Sequence, residues 1–326
     1  MRSTFGSSSK SGRRRVHLHT VAFTAGLLLS AGSLPAQTVP QQPSTTYPKA
    51  PPLPDLTGRV VLITGSTDGL GRDVARRIAA AGGHVLVSGR SASRGDSLVA
   101  EITKNGKGSA KFYRADLASL DETRRLADAV IRDNQRLDIL VNNAGVGFIF
   151  DTTRKFSAEG YEMHFAVNYL AHYLLTHRLL PLIAASAPAR IINVSSGSQT
   201  PIDFADVMMA TGYNGGRGYA QSKLAQVMMT IDMAPALEKQ GILTYSLHPA
   251  TTMGTTMALA LKVKPRSTIA EGVESVVNAI TTLEPTGTFF NQLKPWKAQA
   301  QAYDPEARQK LRALSEQLVG KKQTPD

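Results

Sequence analysis

Residues 60–71 read VVLITGSTDGLG, and DVARRIAAAGG follows at 73–83. The first five are apolar or β-branched without alternation, which predicts a parallel-sheet strand buried on both faces. Gly65, Gly69 and Gly71 then stand at G-x3-G-x-G spacing, and the alanine-rich stretch after them reads as a helix. Glycines so placed let the backbone turn tightly and come close to a pyrophosphate resting on the free N–H groups of the helix start. An ordinary strand–turn–helix corner has the same outline, so the residues further along must decide between the two.

Outward from this corner, strand-like and helix-like segments alternate from Leu56 on. Strands are predicted over 60–64, 84–88, 111–114, 139–142, 189–194 and 243–247, with a weaker one at 287–290. Helices are predicted over 72–81, 92–105, 120–134, 160–185, 219–240, 268–282 and 305–319. The alternation implies an α/β fold, a doubly wound parallel sheet with helices on both faces. No internal repeat is visible, and residues 56–326 read as one domain without a separate substrate domain.

Before that domain, residues 1–36 carry Arg2, Lys10, Arg13, Arg14 and Arg15 with no acid, then the apolar run VAFTAGLLLSAGSLPA. Charged, apolar, then small is the order of an export signal. Consecutive arginines suggest the twin-arginine route, which carries folded, cofactor-loaded proteins to the periplasm. The run is too short and interrupted to span a bilayer comfortably. A misassigned start ahead of a cytoplasmic enzyme and an uncleaved membrane anchor are the alternatives. Residues 37–55 are Pro-rich and polar, the composition of a linker. The formal net charge is +12; removing the five N-terminal cations leaves about +7, with no basic block interleaved with aromatics, which speaks against nucleic acid. The absence of cysteine excludes disulfides, thiolate metal sites and cysteine nucleophiles. His164, His172 and His177 recur irregularly on one predicted helix and read as helix-face histidines rather than a zinc site.

Several positions carry chemistry. Arg90 follows the second strand, where an acid would hold a ribose 2′-hydroxyl and an arginine a 2′-phosphate; NADP(H) is therefore expected over NAD(H). Asp116-Leu117 closes the third strand, where a carboxylate can take an adenine amino group. LVNNAG at 140–145 offers amides and close backbone approach beside a cofactor. Tyr219 and Lys223 are four apart on a predicted helix and share a face. A fixed ammonium beside the phenol would lower its ordinary pKa and make Tyr219 a general acid or base. Ser195-Ser196 ends the strand RIINV, where a hydroxyl can orient a substrate oxygen. Asn168 is a polar residue in a long apolar helix and needs partners; one use is to bend the helix and hold a water near Lys223.

Taken together, TGSTDGLG (64–71), NNAG (142–145), VNYLAHYLL (167–175), RIINVSS (190–196), YAQSK (219–223) and LHPAT (247–251) resemble the short-chain dehydrogenase/reductase family. The order is right and the match covers Leu56 to about Gly320. The resemblance implies a single Rossmann-type domain and a catalytic set of Asn168, Ser196, Tyr219 and Lys223, with Ser196 preferred to Ser195. It implies cofactor contacts from Gly65, Ser66, Thr67, Gly69, Leu70, Gly71, Arg90, Asp116, Leu117, Asn143, Ala144, Gly145, Tyr219, Lys223, Pro249 and Thr251. The retinol-dehydrogenase-like branch, which generally prefers NADP(H), is the most similar. Pro249-Ala250 stands where the family usually has Pro-Gly, which puts the Thr251 contact in question. The expected activity is NADP(H)-dependent hydride transfer between a carbonyl and an alcohol on a small apolar substrate. The rivals are a catalytically silent NADP(H)-binding sensor of the same fold, and an epimerase or dehydratase. Asp203, Phe204, Asp206, Met208, Met209 and Tyr213, in the loop before Tyr219, form either a substrate wall or a packing surface. Family members often pair through the helices near Asn168 and Tyr219, which implies a homodimer or tetramer.

Overall fold

The structure, a computed structural model, describes residues 47–320. The expected export signal and the first part of the linker lie outside the described residues. Residues 47–55 carry no helix or strand, yet they are docked: Ala50 is buried and donates its N–H to Glu274 Oε2 at 3.0 Å.

The chain runs β1 (Val60–Thr64), α1 (Gly69–Ala80), β2 (His84–Gly89), α2 (Ala92–Asn105), β3 (Ser109–Arg114), α3 (Leu120–Asp133) and β4 (Ile139–Asn142). A π-helical turn (Phe165–Leu170) leads into α4 (Ala171–Ala184), followed by β5 (Ala189–Val194), α5 (Gly215–Glu238) and β6 (Ile242–His248). Short α6 (Thr256–Ala260), α7 (Ile269–Thr281), β7 (Phe289–Asn291), β8 (Lys294–Pro295), a 3-10 turn (Ala300–Tyr303) and α8 (Pro305–Gly320) complete it. The sheet order is β3-β2-β1-β4-β5-β6-β7-β8, parallel except for β8. The order reverses between β1 and β4, and a crevice opens at the C-terminal strand ends beside such a reversal.

The unbroken apolar run of β1 is explained by burial on both sides. Val61 and Ile63 pack with Val74 and Ile78 of α1 and Val276 and Val277 of α7. Leu62 faces Leu126 and Val130 of α3 and Leu175 and Leu179 of α4. At about 25 cal/mol per Å2 of apolar area removed from water, each such side chain contributes roughly 1.5–3 kcal/mol.

Two differences from the sequence reading bear on function. The predicted 160–185 helix is interrupted by the π turn that contains Asn168, and α5 starts four residues before Tyr219, capped by Asn214 Oδ1 accepting from Arg217 N at 2.9 Å. The third core cluster is closed by α8, whose Leu311 and Leu318 are buried with Tyr169, Tyr173, Val227 and Met228. Tyr169 and Ser315 hydroxyls meet at 2.7 Å, and Arg312 pairs with Asp232 at 2.9 Å. Within one chain, α8 therefore lies on the helices through which pairing was expected.

Candidate active site

The glycine-rich turn is held in backbone contact with the end of β4. Gly65 has φ +64°, and a Cβ on it would fall 2.8 Å from Ala144 Cα. A Cβ on Gly71 would fall 2.5 Å from both Asn143 Nδ2 and Gly65 O. The Thr64 hydroxyl accepts from the amides of Asn143 (2.9 Å) and Ala144 (3.0 Å), while Asn143 Nδ2 donates to Thr64 O at 2.8 Å. Asn142 Nδ2 donates to Thr176 Oγ1 and Asn193 Oδ1. This corrects the expectation that both amides face a cofactor: they fasten β4 to β1, α4 and β5, leaving the backbone of Ala144 and Gly145 for a ligand. Ser66 is likewise a brace, buried with its hydroxyl donated to Ile63 O at 2.7 Å and accepting from Ser88 N at 3.0 Å. Thr67 packs on Gly89, where a Cβ would come within 2.7 Å of its hydroxyl, and Leu70 is buried in the core. Gly69 N, the first amide of α1, is capped by Asp68 Oδ1 at 2.8 Å.

At the other end of the crevice, Arg90 is exposed just beyond β2, with Nη1 4.0 Å from Asp116 Oδ2. Asp116 Oδ1 accepts from Ala118 N at 3.0 Å, which pins the turn after β3, and Leu117 is buried. Arg94 is already engaged, donating to Asp68 Oδ2 at 3.0 Å; the same oxygen accepts from Thr256 Oγ1 of α6 at 2.6 Å. The sequence reading missed Asp68 and Thr256, although an aspartate directly before a helix-opening glycine is a capping signal.

The four expected catalytic residues come from the π turn, the end of β5 and the first turns of α5. Asn168 is fully buried and satisfied: Oδ1 accepts from Val146 N at 2.8 Å, and Nδ2 donates to Val146 O at 3.1 Å and Ser222 Oγ at 2.9 Å. Ser222 Oγ donates in turn to Tyr219 O at 2.7 Å. π turns inside helices recur at functional sites, and here one carries the polar residue that the sequence made conspicuous. Behind it, His172 is buried between Thr64 Oγ1 (3.0 Å from Nε2) and Asn168 O (3.0 Å from Nδ1). Burial drives its pKa down to about 4, so the ring is neutral. Nδ1 then donates to the carbonyl, and Nε2 accepts the Thr64 proton.

The two serines separate cleanly. Ser195 Oγ donates to Lys223 O at 2.7 Å, whereas Ser196 faces Tyr219. Burial raises the Tyr219 pKa above its ordinary value, and the Ser196 hydroxyl works against that rise. Lys223 makes no hydrogen bond to the phenol among the described residues. Its Nζ is 5.8 Å from the phenol ring centroid and donates instead to Val194 O and Gln226 Oε1, both at 2.9 Å. Burial brings Lys223 down to about 7, so at neutral pH it is protonated only part of the time. Gln226 Nε2 is buried without a partner among the described residues, and Gln226 was not foreseen.

Past β6, Pro249 O accepts from Ser275 Oγ at 2.6 Å, and Thr251 Oγ1 lies 3.2 Å from His248 Nε2. Ala250 is buried, and the left-handed φ of this turn falls two residues later, on Thr252 at +50°. In the loop before α5, Ile202 and Met209 are buried and Phe204 and Met208 pack on the third core cluster. That favours packing for these residues. The apolar groups beside Tyr219 come from elsewhere: a Cβ on Gly147 would lie 2.8 Å from Met257 Sδ of α6 and 3.7 Å from Tyr219 Cε2.

The set fits a dinucleotide. A cradle that Cβ atoms would fill, backbone groups at Ala144–Gly145, an exposed arginine beyond β2, and a buried lysine next to a phenol line one crevice.

The family model for short chain dehydrogenase matches residues 59–265. Bovine retinol dehydrogenase 12 is 39% identical over 198 residues, covering 60% of this chain and 61% of its own length. Human retinol dehydrogenase 13 is 34% identical over 288 residues, covering 81% and 86%. Among solved structures, the Pseudomonas aeruginosa RhlG/NADP active-site complex aligns with a TM-score of 0.56 and 26% identity, covering 73% of this chain and 95% of that one. A metagenomic short-chain oxidoreductase in complex with NADP shares the fold at a TM-score of 0.57 and 24% identity, covering 74% and 100%. With the glycine cradle, the strand order and these matches agreeing, the chain belongs to the short-chain dehydrogenase/reductase family, on its retinol-dehydrogenase-like branch.

Proposed function

We propose that this chain is an NADP(H)-dependent oxidoreductase that interconverts a carbonyl and an alcohol on an apolar substrate. One observation carries the reading: Ser196, Tyr219, Lys223 and Asn168 converge at the C-terminal ends of β4 and β5, beside the cradle formed by Gly65 and Gly71. A bound nicotinamide would supply or accept the hydride. Tyr219, protonated at neutral pH, gives its phenolic proton to the carbonyl oxygen in reduction and recovers it in the reverse direction. Ser196 hydrogen-bonds that oxygen. Lys223 would hold the nicotinamide ribose, leaving Val194 O and Gln226 to do so. Asn168 positions α5 through Ser222 and the 146–148 loop through Val146.

Arg90 is the support for NADP(H): its only described carboxylate neighbour is at the edge of ion-pair range, so the guanidinium is available to a 2′-phosphate. The apolar character rests on Met257 and on exposed Phe150 and Leu259, which belong to the two segments that meet near Tyr219. The relatives' names point to a similar substrate class. We further propose export through residues 1–36, supported by their charged–apolar–small order. We propose also a homodimer or tetramer, the assembly that the family resemblance implies.

The test is turnover of NADPH and NADH, measured separately against apolar ketones and aldehydes, with Tyr219→Phe and Arg90→Ala beside the parent. NADPH oxidation lost in the first variant and weakened in the second supports the reading. An NADH preference unaffected by Arg90→Ala overturns the cofactor assignment and leaves the chemistry standing.

A further inference from the structure

Directly behind Tyr219 lies a buried acid–imidazole pair that the chemistry above does not use. Glu162 and His164 are both almost fully buried, and His164 Nδ1 is 2.8 Å from Glu162 Oε1. The other ring nitrogen, Nε2, accepts from Phe148 N at 2.9 Å. Nε2 therefore carries no proton, and Nδ1–H donates to the carboxylate. Glu162 takes two more donors: Phe165 N at 2.8 Å, at the start of the π turn, and Tyr213 Oη at 3.2 Å, just before α5. The imidazole meets the Tyr219 ring edge-on at 6.1 Å and the Phe148 ring at 5.6 Å. Even the residue preceding the tyrosine is fitted to the pair, since a Cβ on Gly218 would lie 3.2 Å from His164 Nδ1 and 3.3 Å from Glu162 Oε1.

We propose that Glu162 and His164 are positioning residues for the substrate. By holding the Phe148 amide through His164 and the Tyr213 hydroxyl through Glu162, they fix the 146–151 loop and the segment entering α5, the walls against which a carbonyl compound would lie. This rests on the oxidoreductase reading. Isolated burial of a carboxylate is costly, and apolar side chains of equal volume would pack as well or better; the pair is kept where it dictates the position of two loops. Burial pushes the Glu162 carboxyl up, and its bonds to His164 and the Phe165 amide bring it below its ordinary value, so it accepts as a carboxylate. Asn168 anchors the same loop two residues earlier through Val146, so His164 governs Phe148 itself rather than the whole segment.

The test compares His164→Phe, His164→Gln and Tyr213→Phe with the parent, in the full chain. Gln retains an oxygen able to accept from the Phe148 amide; Tyr213→Phe removes a single hydrogen bond and serves where the others do not fold. Stranding a buried donor costs enough for about a tenfold effect. The expected result is that His164→Phe raises KM for a carbonyl substrate about tenfold, speeds amide exchange over residues 146–151 by a similar factor, and leaves NADPH affinity and exchange over 64–71 unchanged. His164→Gln should recover most of both changes, and Tyr213→Phe should shift KM in the same direction by a smaller factor. Unchanged KM and loop exchange in a folded His164→Phe overturns the proposal. So does a parallel loss of NADPH affinity, which marks a purely structural role. A parent that reduces no carbonyl refutes the oxidoreductase reading instead, and loop exchange still decides whether the pair holds Phe148.

Discussion

Replacing His172 with glutamine should make the acid sensitivity of this fold measurable at one residue. The imidazole is buried between Thr64 and Asn168, and burial lowers its pKa from 6.5 to about 4. The unfolded chain therefore binds a proton between these values that the folded chain refuses. Stability from the neutral ring is fully present above pH 6.5 and is lost as the pH falls towards 4. Each pH unit across the window is worth about 1.36 kcal/mol, which gives a loss of about 2 kcal/mol by pH 5 and about 3 kcal/mol by pH 4. A glutamine does not titrate. At pH 7 the variant should be the less stable by roughly 1–3 kcal/mol, the cost of imperfectly replaced buried hydrogen bonds. On acidification the parent should lose the additional 2–3 kcal/mol and the gap should close or reverse. Urea unfolding followed by circular dichroism at half-unit pH steps gives both curves, and other groups cancel in their difference. A gap constant to within about 0.5 kcal/mol from pH 7 to pH 4.5 refutes the reasoning, since the neutral hydrogen-bonded ring would then contribute nothing through its ionisation.

Other outcomes follow from the same geometry. Tyr219→Phe should cut turnover about 10²- to 10⁴-fold with NADPH binding retained, as read by fluorescence titration beside steady-state rates. Lys223 is charged in the unfolded chain up to pH 10.5 but in the folded one only below about 7, so its burial opposes folding fully below pH 7 and progressively less up to pH 10.5. Lys223→Met should accordingly abolish turnover yet raise Tm, with a benefit largest below pH 7 that fades as the pH approaches 10.5; a lowered Tm at pH 7 counts against the burial argument. Gly71→Ala should cost NADPH affinity tenfold or more, because its Cβ would fall 2.5 Å from Gly65 O and Asn143 Nδ2; calorimetric titration checks it. Arg90→Ala should weaken NADPH binding more than tenfold and NADH binding hardly at all, measured side by side.

What was legible in the sequence follows from how local each signal was. The unalternating run at 60–64 dictated a doubly covered strand, and the alternation of later strands and helices gave a doubly wound parallel sheet, whose strand order only the structure supplies. Tyr219, Lys223 and Asn168 could be found because each is chemically out of place or paired at helical spacing. Choosing Ser196 over Ser195 needed family resemblance, and the geometry shows why composition could not decide: adjacent hydroxyls at a strand end point to opposite sides, one into α5 and one towards the phenol. The illegible parts are tertiary. Nothing local says that the Asn142 and Asn143 amides are consumed within the protein, or that Lys223 turns towards Val194 and Gln226, because the partners lie as many as 79 residues away. The same holds for the Glu162–His164 pair. Read along a helix, its histidine was one of three irregular face residues; only folding brings Phe148 and Tyr213 to it from either side, a span of 65 residues that periodicity does not encode. Polar residues on apolar helices are thus the places where a sequence announces a partner without naming it. In this chain Asn168, which the sequence made conspicuous, and His172, which it did not, end on the same connection between the glycine turn and the catalytic helix, which is why their perturbation should be read at the active site as well as in stability.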